Sequence, residues 1–555
     1  MSGINYKIGL LADFNTQNLA VLLRKNPAAT VQCFEAEYGQ MTRLLLDGND
    51  AFWAEVLDAA VVWSQPQLAV PGFQKILSFE EYPADELLRE VDSFCALVKK
   101  IPANVRTIFL PSWTVAGGDR GLGPMNLANH AGVTNALMRM NLRLADQFEN
   151  DRRIILLDAN QWLRGAGADN PKLWYLSKTP FANAVFQEAA ADIVAALEGI
   201  RGRSKKVLIL DLDNTLWGGI LGDDGWEQLR LGGHDAVGEA FVDFQKNLLR
   251  LTQRGVVLAI ASKNEEATAL NAIRSHPEMV LKPEHFAAWK INWNDKAANI
   301  AELMTGLNLG LDSAVFLDDS AFERARVREA LPQVFVPELP ADPMLYPSFL
   351  SRLKCFDNPF ISREDRARTT MYVADRQRTS LQSAFGSLEE WLAALELRVM
   401  AEPLNAANLE RAAQLFNKTN QMNLSTRRLT ADELLAWSHA ESNQLWTFRV
   451  ADKYGDYGLC GIASLTQKKP DAELVDFLLS CRVMSRGVEE TMLSTVAAKA
   501  RELGCGELVA KYLPTPKNQP VEKWFASQPQ LKKNGGTFRL SLAAAIEFPK
   551  HVTTA

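Results

Sequence analysis

Short apolar runs and amphipathic stretches alternate along the first two hundred positions. KIGLLA (Lys7–Ala12) predicts a strand and NLAVLLRKN (Asn18–Asn26) a helix. AAVVW, TIFLP and RIILLD predict further strands, with amphipathic helices between them, as in the long run after Pro83. This βαβ rhythm implies a largely parallel sheet with helices on both faces. The helix ending near Ile200 gives way to RGRSKK, a polar basic linker. A second alternating block follows, with strands KVLILDLD, VVLAIAS (Val256–Ser262) and SAVFLDDS (Ser313–Ser320), and FVP near Phe335 as a candidate fourth. From Pro343 to about Leu388 the chain is helical, charged and interrupted by Pro and Gly, as in a connector. A third unit begins near Glu396. It mixes a helix (Asn405–Leu415), a strand (LWTFRVAD), a Gly-punctuated hairpin (KYGDYGLCGIASL), a strand (ELVDFLLSCRV) and a helix (Glu489–Leu503), as in a compact α+β domain. The expected domains are therefore 1–202, 203–345, a connector 346–395, and 396–555.

Length and composition agree with that division. A chain of 555 residues suggests about three or four domains. With 47% hydrophobic and 23% charged residues, bulk disorder is excluded. Sixty Lys and Arg against 66 Asp and Glu leave a formal net charge of −6, which argues against a broad nucleic-acid-binding surface. The start MSGINYKIGLLADFN lacks the basic region and long apolar run of a secretory signal. No apolar stretch reaches the roughly 18 residues of a membrane helix. Six scattered cysteines with no CxxC spacing read as reduced thiols, and the expected location is cytoplasmic.

The second block carries the candidate chemistry. Asp211 and Asp213 lie at i and i+2 where an apolar strand ends, and open α/β sheets bind ligands at that end. SAVFLDDS also closes on two acids, Asp318 and Asp319, and VVLAIAS closes on Ser262, followed by Lys263 and Asn264. Lys296 lies between the last two. In a parallel sheet these ends converge. Carboxylates gathered at one point repel unless a hard cation sits among them, and oxygen ligands suit Mg²⁺. A hydroxyl and a lysine nearby complete a phosphate cradle. Each motif alone is compatible with a solvated loop; the ordered set is much more specific.

The DxDNT block, the Ser, the Lys and the DD block resemble, in order, the four motifs of the haloacid dehalogenase (HAD) superfamily. The resemblance implies a nucleophile at Asp211 that takes the phosphoryl group as an aspartyl-phosphate, and a general acid/base at Asp213. It implies phosphate binding by Ser262, a steadying charge at Lys296, and Mg²⁺ held by Asp211, Asp213 and Asp318. Thr215, Lys263 and Asn264 are the expected substrate contacts. WGGILGDDGWEQLRL resembles the superfamily's flap, with Asp224–Gly225 as a hairpin-turn signal.

DLDNTLWGGILGDDG, ASKNEE, INWNDKAANI, FLDDSAFERARV, NKTNQMNLSTRR, LSCRVMSRGVE and YLPTPKNQPV together resemble the FkbH-like HAD proteins (subfamily IIIC) from about Arg203 to Phe525. The family implies transfer of a glyceryl unit from 1,3-bisphosphoglycerate to the phosphopantetheine thiol of an acyl carrier protein. A plain phosphatase of a small phosphorylated metabolite, and a non-enzymatic carrier-protein scaffold, are the alternatives. A thioester relay needs a cysteine, and Lys206 to Pro340 contains none; Cys355 is the nearest downstream thiol.

The C-terminal unit resembles the GNAT acetyltransferase fold. In SCRVMSRGVEETML, Arg482 and Gly487 are candidate substrate contacts at a helix start, where backbone N–H groups bind pyrophosphate. Glu489 stands where a second glycine is expected, which opposes a diphosphate. The N-terminal unit resembles the SGNH hydrolase fold, but Ala12-Asp13-Phe14 replaces Gly-Asp-Ser. KLWYLSKTPFANA has no His, and His130 comes too early. That domain is expected to be catalytically dead. The expected fold class is thus α/β multidomain, a HAD-type Rossmannoid parallel sheet flanked by a flavodoxin/SGNH-like domain and an α+β GNAT-like domain.

Overall fold

The computed structural model describes residues 5–115, 120–129, 132–164, 171–382, 385–543 and 546–554. His130 lies outside them. The chain forms two compact units, Met1–Leu197 and Glu198–Ala555. Among the described residues no helix is long and apolar enough to cross a membrane.

The first unit is a five-stranded parallel sheet. Its strands are β1 (Asn5–Ala12), β2 (Thr30–Glu35), β3 (Ala59–Trp63), β4 (Ile108–Pro111) and β5 (Ile154–Leu157), in spatial order 2-1-3-4-5. That order is the flavodoxin-like one of doubly wound sheets. β3 is buried at every position, as a strand covered on both faces must be. β2 sits at the edge, and its mixed TVQCFE composition gives no continuous apolar run, so the apolar pattern does not reveal it.

The second unit opens with a four-stranded parallel sheet: β6 (Val207–Leu210), β7 (Val257–Ser262), β8 (Phe286–Ile291) and β9 (Ala314–Leu317), in order 8-7-6-9. The period of two is visible in the packing. Leu208, Leu210, Leu258, Ile260, Val315 and Leu317 join one core; Val207, Ile209, Val257, Ala259, Ala314 and Phe316 join the core on the other face. Burying each Leu or Ile contributes about 1.5–3 kcal/mol, which is why four-residue strands suffice. The candidate fourth strand at Phe335 is only a single parallel bridge to Val315. The fourth strand is β8, an edge strand whose half-exposed Trp289 and Lys290 hide it from an apolar pattern. The chain passes from β6 to β7 to β8 on one side and returns to β9 on the other. The order therefore reverses beside β6, where such sheets place a ligand.

Helices Tyr346–Ser351, Arg363–Arg366, Arg368–Gln382 and Leu388–Ala394 follow. The chain then builds a mixed sheet around the hairpin of β12 (Asn443–Asp452) and β13 (Gly455–Lys468), flanked by β10 (Leu397–Pro403) and β14 (Asp471–Leu479). The short β11 (Met422–Asn423) and then β15 (Glu507–Lys511) pair with β14. Helix Val488–Glu502 packs against this sheet through Met492, Val496 and Ala500.

Candidate active site

β6 ends at Leu210, and the Asp211 N–H still donates to the Leu317 carbonyl of β9 at 3.0 Å. The chain then turns sharply. Leu212 accepts hydrogen bonds from the N–H groups of Thr215 and Leu216, and Asn214 takes the left-handed conformation at φ 52°, which Asn tolerates better than most residues. This turn leaves Asp211 buried at the mouth of the sheet.

Asp318, fully buried, leaves the neighbouring β9, and Lys296 opens the helix Lys296–Gly306. Asp295 caps that helix, its carboxylate accepting from the Ala298 N–H, so the following lysine is fixed at the first turn. Lys296 Nζ lies 2.9 Å from Asp211 Oδ1 and 2.6 Å from Asp318 Oδ2. Asp319, exposed, joins them: one carboxylate oxygen from each of Asp211, Asp318 and Asp319 lies within 4.8 Å of the others.

One ammonium thus faces three carboxylates. Burial pushes Asp211 up to about 6, against the pull of Lys296, and the charge of Asp318 adds to the rise. Burial also raises Asp318, and raises Asp319 with help from Asp211. For Lys296 burial acts downward, but Asp211 and Asp318 outweigh it and hold the ammonium above its usual range. Asp211 Oδ1 is buried and accepts no well-directed hydrogen bond, although Lys296 lies near it. A cluster of carboxylate oxygens whose negative charge exceeds that of the one ammonium facing it fits a divalent hard cation such as Mg²⁺.

Asp213 stands apart from the converging three. Its Oδ1 accepts from Trp217 Nε1 at 3.0 Å and from the Leu221 N–H at 3.1 Å, and its Oδ2 accepts from Asn264 Nδ2 at 3.0 Å. Expected as a metal ligand from sequence, its carboxylate instead is turned toward N–H donors, and Asp319 is the third acid of the cluster. Ser262, at the end of β7 and buried, accepts from Asn264 Nδ2 at 3.3 Å and lowers the Asp211 carboxyl through a hydrogen bond. Asn264 therefore ties Ser262 to Asp213. Thr215 is fully buried, and its hydroxyl accepts from the Asp319 N–H at 3.1 Å, joining the two acidic loops. Lys263 is drawn away to Glu323, at 2.6 Å. Arg482 donates to Ser480 Oγ and, in the helix Arg368–Gln382, to Met371 Sδ, and Gly487 lies beside His551.

Nothing in the sequence distinguishes Arg324 from Arg326, the two arginines of FERARV. Arg324 is the buried one, donating from Nη1 to the carbonyls of Asp318 and Asp319 at 2.8 and 2.7 Å, which holds the acidic loop in place. The loop after β6 is closed by a bridge in which Gly218 and Arg230 exchange hydrogen bonds of 3.1 and 2.8 Å. Asp224–Gly225 does not make a hairpin turn there. Leu221–Asp224 is a short helix, and Gly225, at φ 74°, ends it.

The chain is similar over 65% of its length, at 29% identity and a TM-score of 0.59, to the N-terminal part of the protein BF1531 from Bacteroides fragilis, covering 96% of that structure. That structure contains a phosphatase domain and is complexed with Mg. Two acetyltransferase structures align with 26% of this chain. The ribosomal-protein-S18-alanine N-acetyltransferase from Escherichia coli, 96% covered, has 12% identity and a TM-score of 0.20; a putative GNAT-family acetyltransferase from Desulfovibrio desulfuricans, 99% covered, has 15% and 0.21. These two likenesses are too slight to assign the C-terminal sheet an activity. No protein-family model and no curated protein matches the chain.

Proposed function

We propose that the protein is a HAD-type phosphatase that uses Mg²⁺. The observation that carries this reading is Lys296 bridging Asp211 and Asp318 at the carboxyl ends of two adjacent parallel strands, with Asp319 converging on them. Asp211, Asp318 and Asp319 would hold the cation. When bound, Mg²⁺ withdraws charge from a phosphoryl oxygen and offsets the repulsion among the acids. Asp211 is the nucleophile: its carboxylate oxygen bonds to phosphorus as the ester oxygen leaves, giving an aspartyl-phosphate. Asp213, oriented by Trp217, Leu221 and Asn264, gives the departing oxygen its proton and then takes one from the attacking water. Ser262 binds phosphoryl oxygens, and Lys296 keeps Asp211 ionised despite its burial.

With a suitable phosphate ester and Mg²⁺ the protein should release phosphate, EDTA should abolish the release, and added Mg²⁺ should restore it. Asp318→Asn should mimic the chelator. Full activity after exhaustive metal removal would end this reading.

The finer activity rests on the FkbH-like motifs: the phosphopantetheine thiol of an acyl carrier protein bonds to the C1 carbonyl carbon of 1,3-bisphosphoglycerate as the C1 phosphate leaves, and the C3 phosphate ester is cleaved at Asp211, so that a glyceryl unit remains on the carrier. Cys355 is poorly suited as a relay, because burial pushes its thiol up to about 12 and so disfavours the thiolate. Transfer in this reading goes directly to the carrier. Holo-carrier protein incubated with wild type and donor should gain one glyceryl unit by intact-protein mass, and Cys355→Ala should transfer equally well. Asp211→Asn should give no glyceryl-carrier, because the C3 phosphate stays in place. A carrier mass that never changes while phosphate is released leaves the phosphatase activity alone.

A further inference from the structure

A cavity lies in the same unit as the acidic site, at the other end of β6. It holds about 280 Å³ and is lined from the start of β6, the helix Arg368–Gln382, the helix Leu409–Lys418 and the end of β14. Lys206 lines it, five residues before Asp211; at about 3.3 Å per strand residue this places the two residues roughly 16 Å apart. The cavity is therefore not part of the acidic site.

Its lining is strongly cationic: seven Lys and Arg side chains against two Asp. The two acids are already engaged. Asp365 pairs with Arg368 and, at 2.6 Å, with Lys418; Asp312 pairs with Lys517. Among the described residues, Lys206 and Arg482 have no carboxylate within ion-pair distance. Arg482 donates instead to neutral groups: Ser480 Oγ at 3.1 Å, Met371 Sδ at 3.0 Å and Cys460 Sγ at 3.9 Å. Arg411 Nη1 donates to the neutral Gln414 Oε1 at 3.3 Å and Ser362 Oγ at 3.5 Å; its one ion-pair approach is to Glu364, at 3.7 Å, and its buried Nε has no hydrogen-bond partner. Burial lowers the pKa of Lys206 and of Arg411, and the charge of Arg482 lowers Arg411 further. Desolvated guanidinium and ammonium groups without an anion are costly, and a phosphate offers the doubly charged oxygen fork that several of them can share.

We propose that this cavity binds the phosphate group of a small molecule, at a site separate from the phosphoryl-transfer acids. The cavity carries its own reporter. Cys481 lines it and is partly exposed, with the Tyr372 hydroxyl 3.9 Å from its sulfur.

The test is alkylation of the full-length protein with iodoacetamide in Mg²⁺ buffer, followed cysteine by cysteine by peptide mass. Millimolar glycerol 3-phosphate should slow labelling of Cys481 several-fold and saturably, leaving the alkylation rate of added glutathione unchanged. Lys206→Gln and Arg411→Gln should each weaken that protection. Each removes a charge that lacks a close carboxylate, so each should keep or raise the ligand-free thermal midpoint. Inorganic phosphate is run alongside. Protection as strong as the ester's assigns the site to free phosphate, and weaker protection assigns it to the ester; both support the proposal. Cys481 labelling that is unaffected in wild type, or slowed equally by succinate or by chloride at matched ionic strength, overturns it.

Discussion

Lys296 is the residue on which the acidic site depends most. It is buried between Asp211 and Asp318, and its charge is what permits those carboxylates to stay ionised at all. Removing one partner of a buried ion pair costs about 3–5 kcal/mol, because the remaining charge is left uncompensated. Lys296→Met should therefore lower stability by that order in EDTA, measured by urea unfolding. The loss should be small at acid pH, where Asp211 and Asp318 can take protons, and should grow as the pH rises. A loss independent of pH would show that packing, not charge, is what the lysine supplies. Lys263 makes the contrast: its partner Glu323 is buried, but Lys263 itself is more than a third exposed, so solvent screens its charge and its removal should cost less than that of Lys296.

At the scale of an element, the start of helix Val488–Glu502 is the informative case. Gly487 takes φ 85° there, and a Cβ would meet His551 Nε2 at 2.6 Å, so only glycine fits. His551 Nε2 also lies 2.9 Å from the Arg486 carbonyl. The Glu489 side chain folds back so that its Oε1 accepts from the Ser485 N–H at 2.8 Å, leaving Oε2 buried and unbonded. The helix start is thus filled by the protein's own carboxylate and histidine, which opposes a pyrophosphate there. Burial pushes Glu489 up to about 7 from 4.5. The folded state then binds more protons than the unfolded state between those values. The stability from this group is present below about pH 4.5 and is lost as the pH rises through 7. At about 1.4 kcal/mol per unit, the change is on the order of 3 kcal/mol. Glu489→Gln should flatten that part of the stability profile and raise the thermal midpoint above pH 7. An unchanged slope in the variant would assign the pH dependence to other groups.

On the scale of the whole molecule, the chain joins two units, Met1–Leu197 and Glu198–Ala555, and the acidic cluster belongs wholly to the second. In the first unit, β1 ends at Ala12, and Asp13 and Phe14 follow it. Phe14 is buried, with Trp63 at a ring distance of 5.3 Å and Phe181 at 6.0 Å. Burial raises the preceding Asp13 to about 6, and its carboxylate is taken up by the Gln65 N–H at 2.8 Å. An aromatic cluster has no group to attack a carbonyl. Neither p-nitrophenyl acetate nor butyrate should be turned over by the first unit. Turnover that survives Asp211→Asn but stops on deletion of residues 1–197 would overturn this.

The sequence by itself determined the strands whose side chains are buried on both faces of each parallel sheet. β1, β3, β6, β7 and β9 are buried on both faces, so they must be continuous apolar runs, and a run that ends in Asp, Ser or Asp-Asp marks where its loop meets solvent and ligand. It did not determine the edge strands β2 and β8, whose side chains are partly solvated and carry no such run. Nor did it decide which side chains share a point in space. Asp213 and Asp319 are each one or two positions from a buried acid, and Lys263 and Lys296 are equally plausible ammonium donors on paper. The turn at Asn214 directs Asp213 to Trp217 and Asn264, the capped helix start brings Lys296 between Asp211 and Asp318, and Glu323 draws Lys263 away. The cationic cavity is still further from the sequence, since its lining runs from Gly202 to Lys517. Apolar burial is a local property that repeats along the chain and can be read there. Coulombic and hydrogen-bond partnership depends on distance in three dimensions, and only the tertiary structure sets that distance.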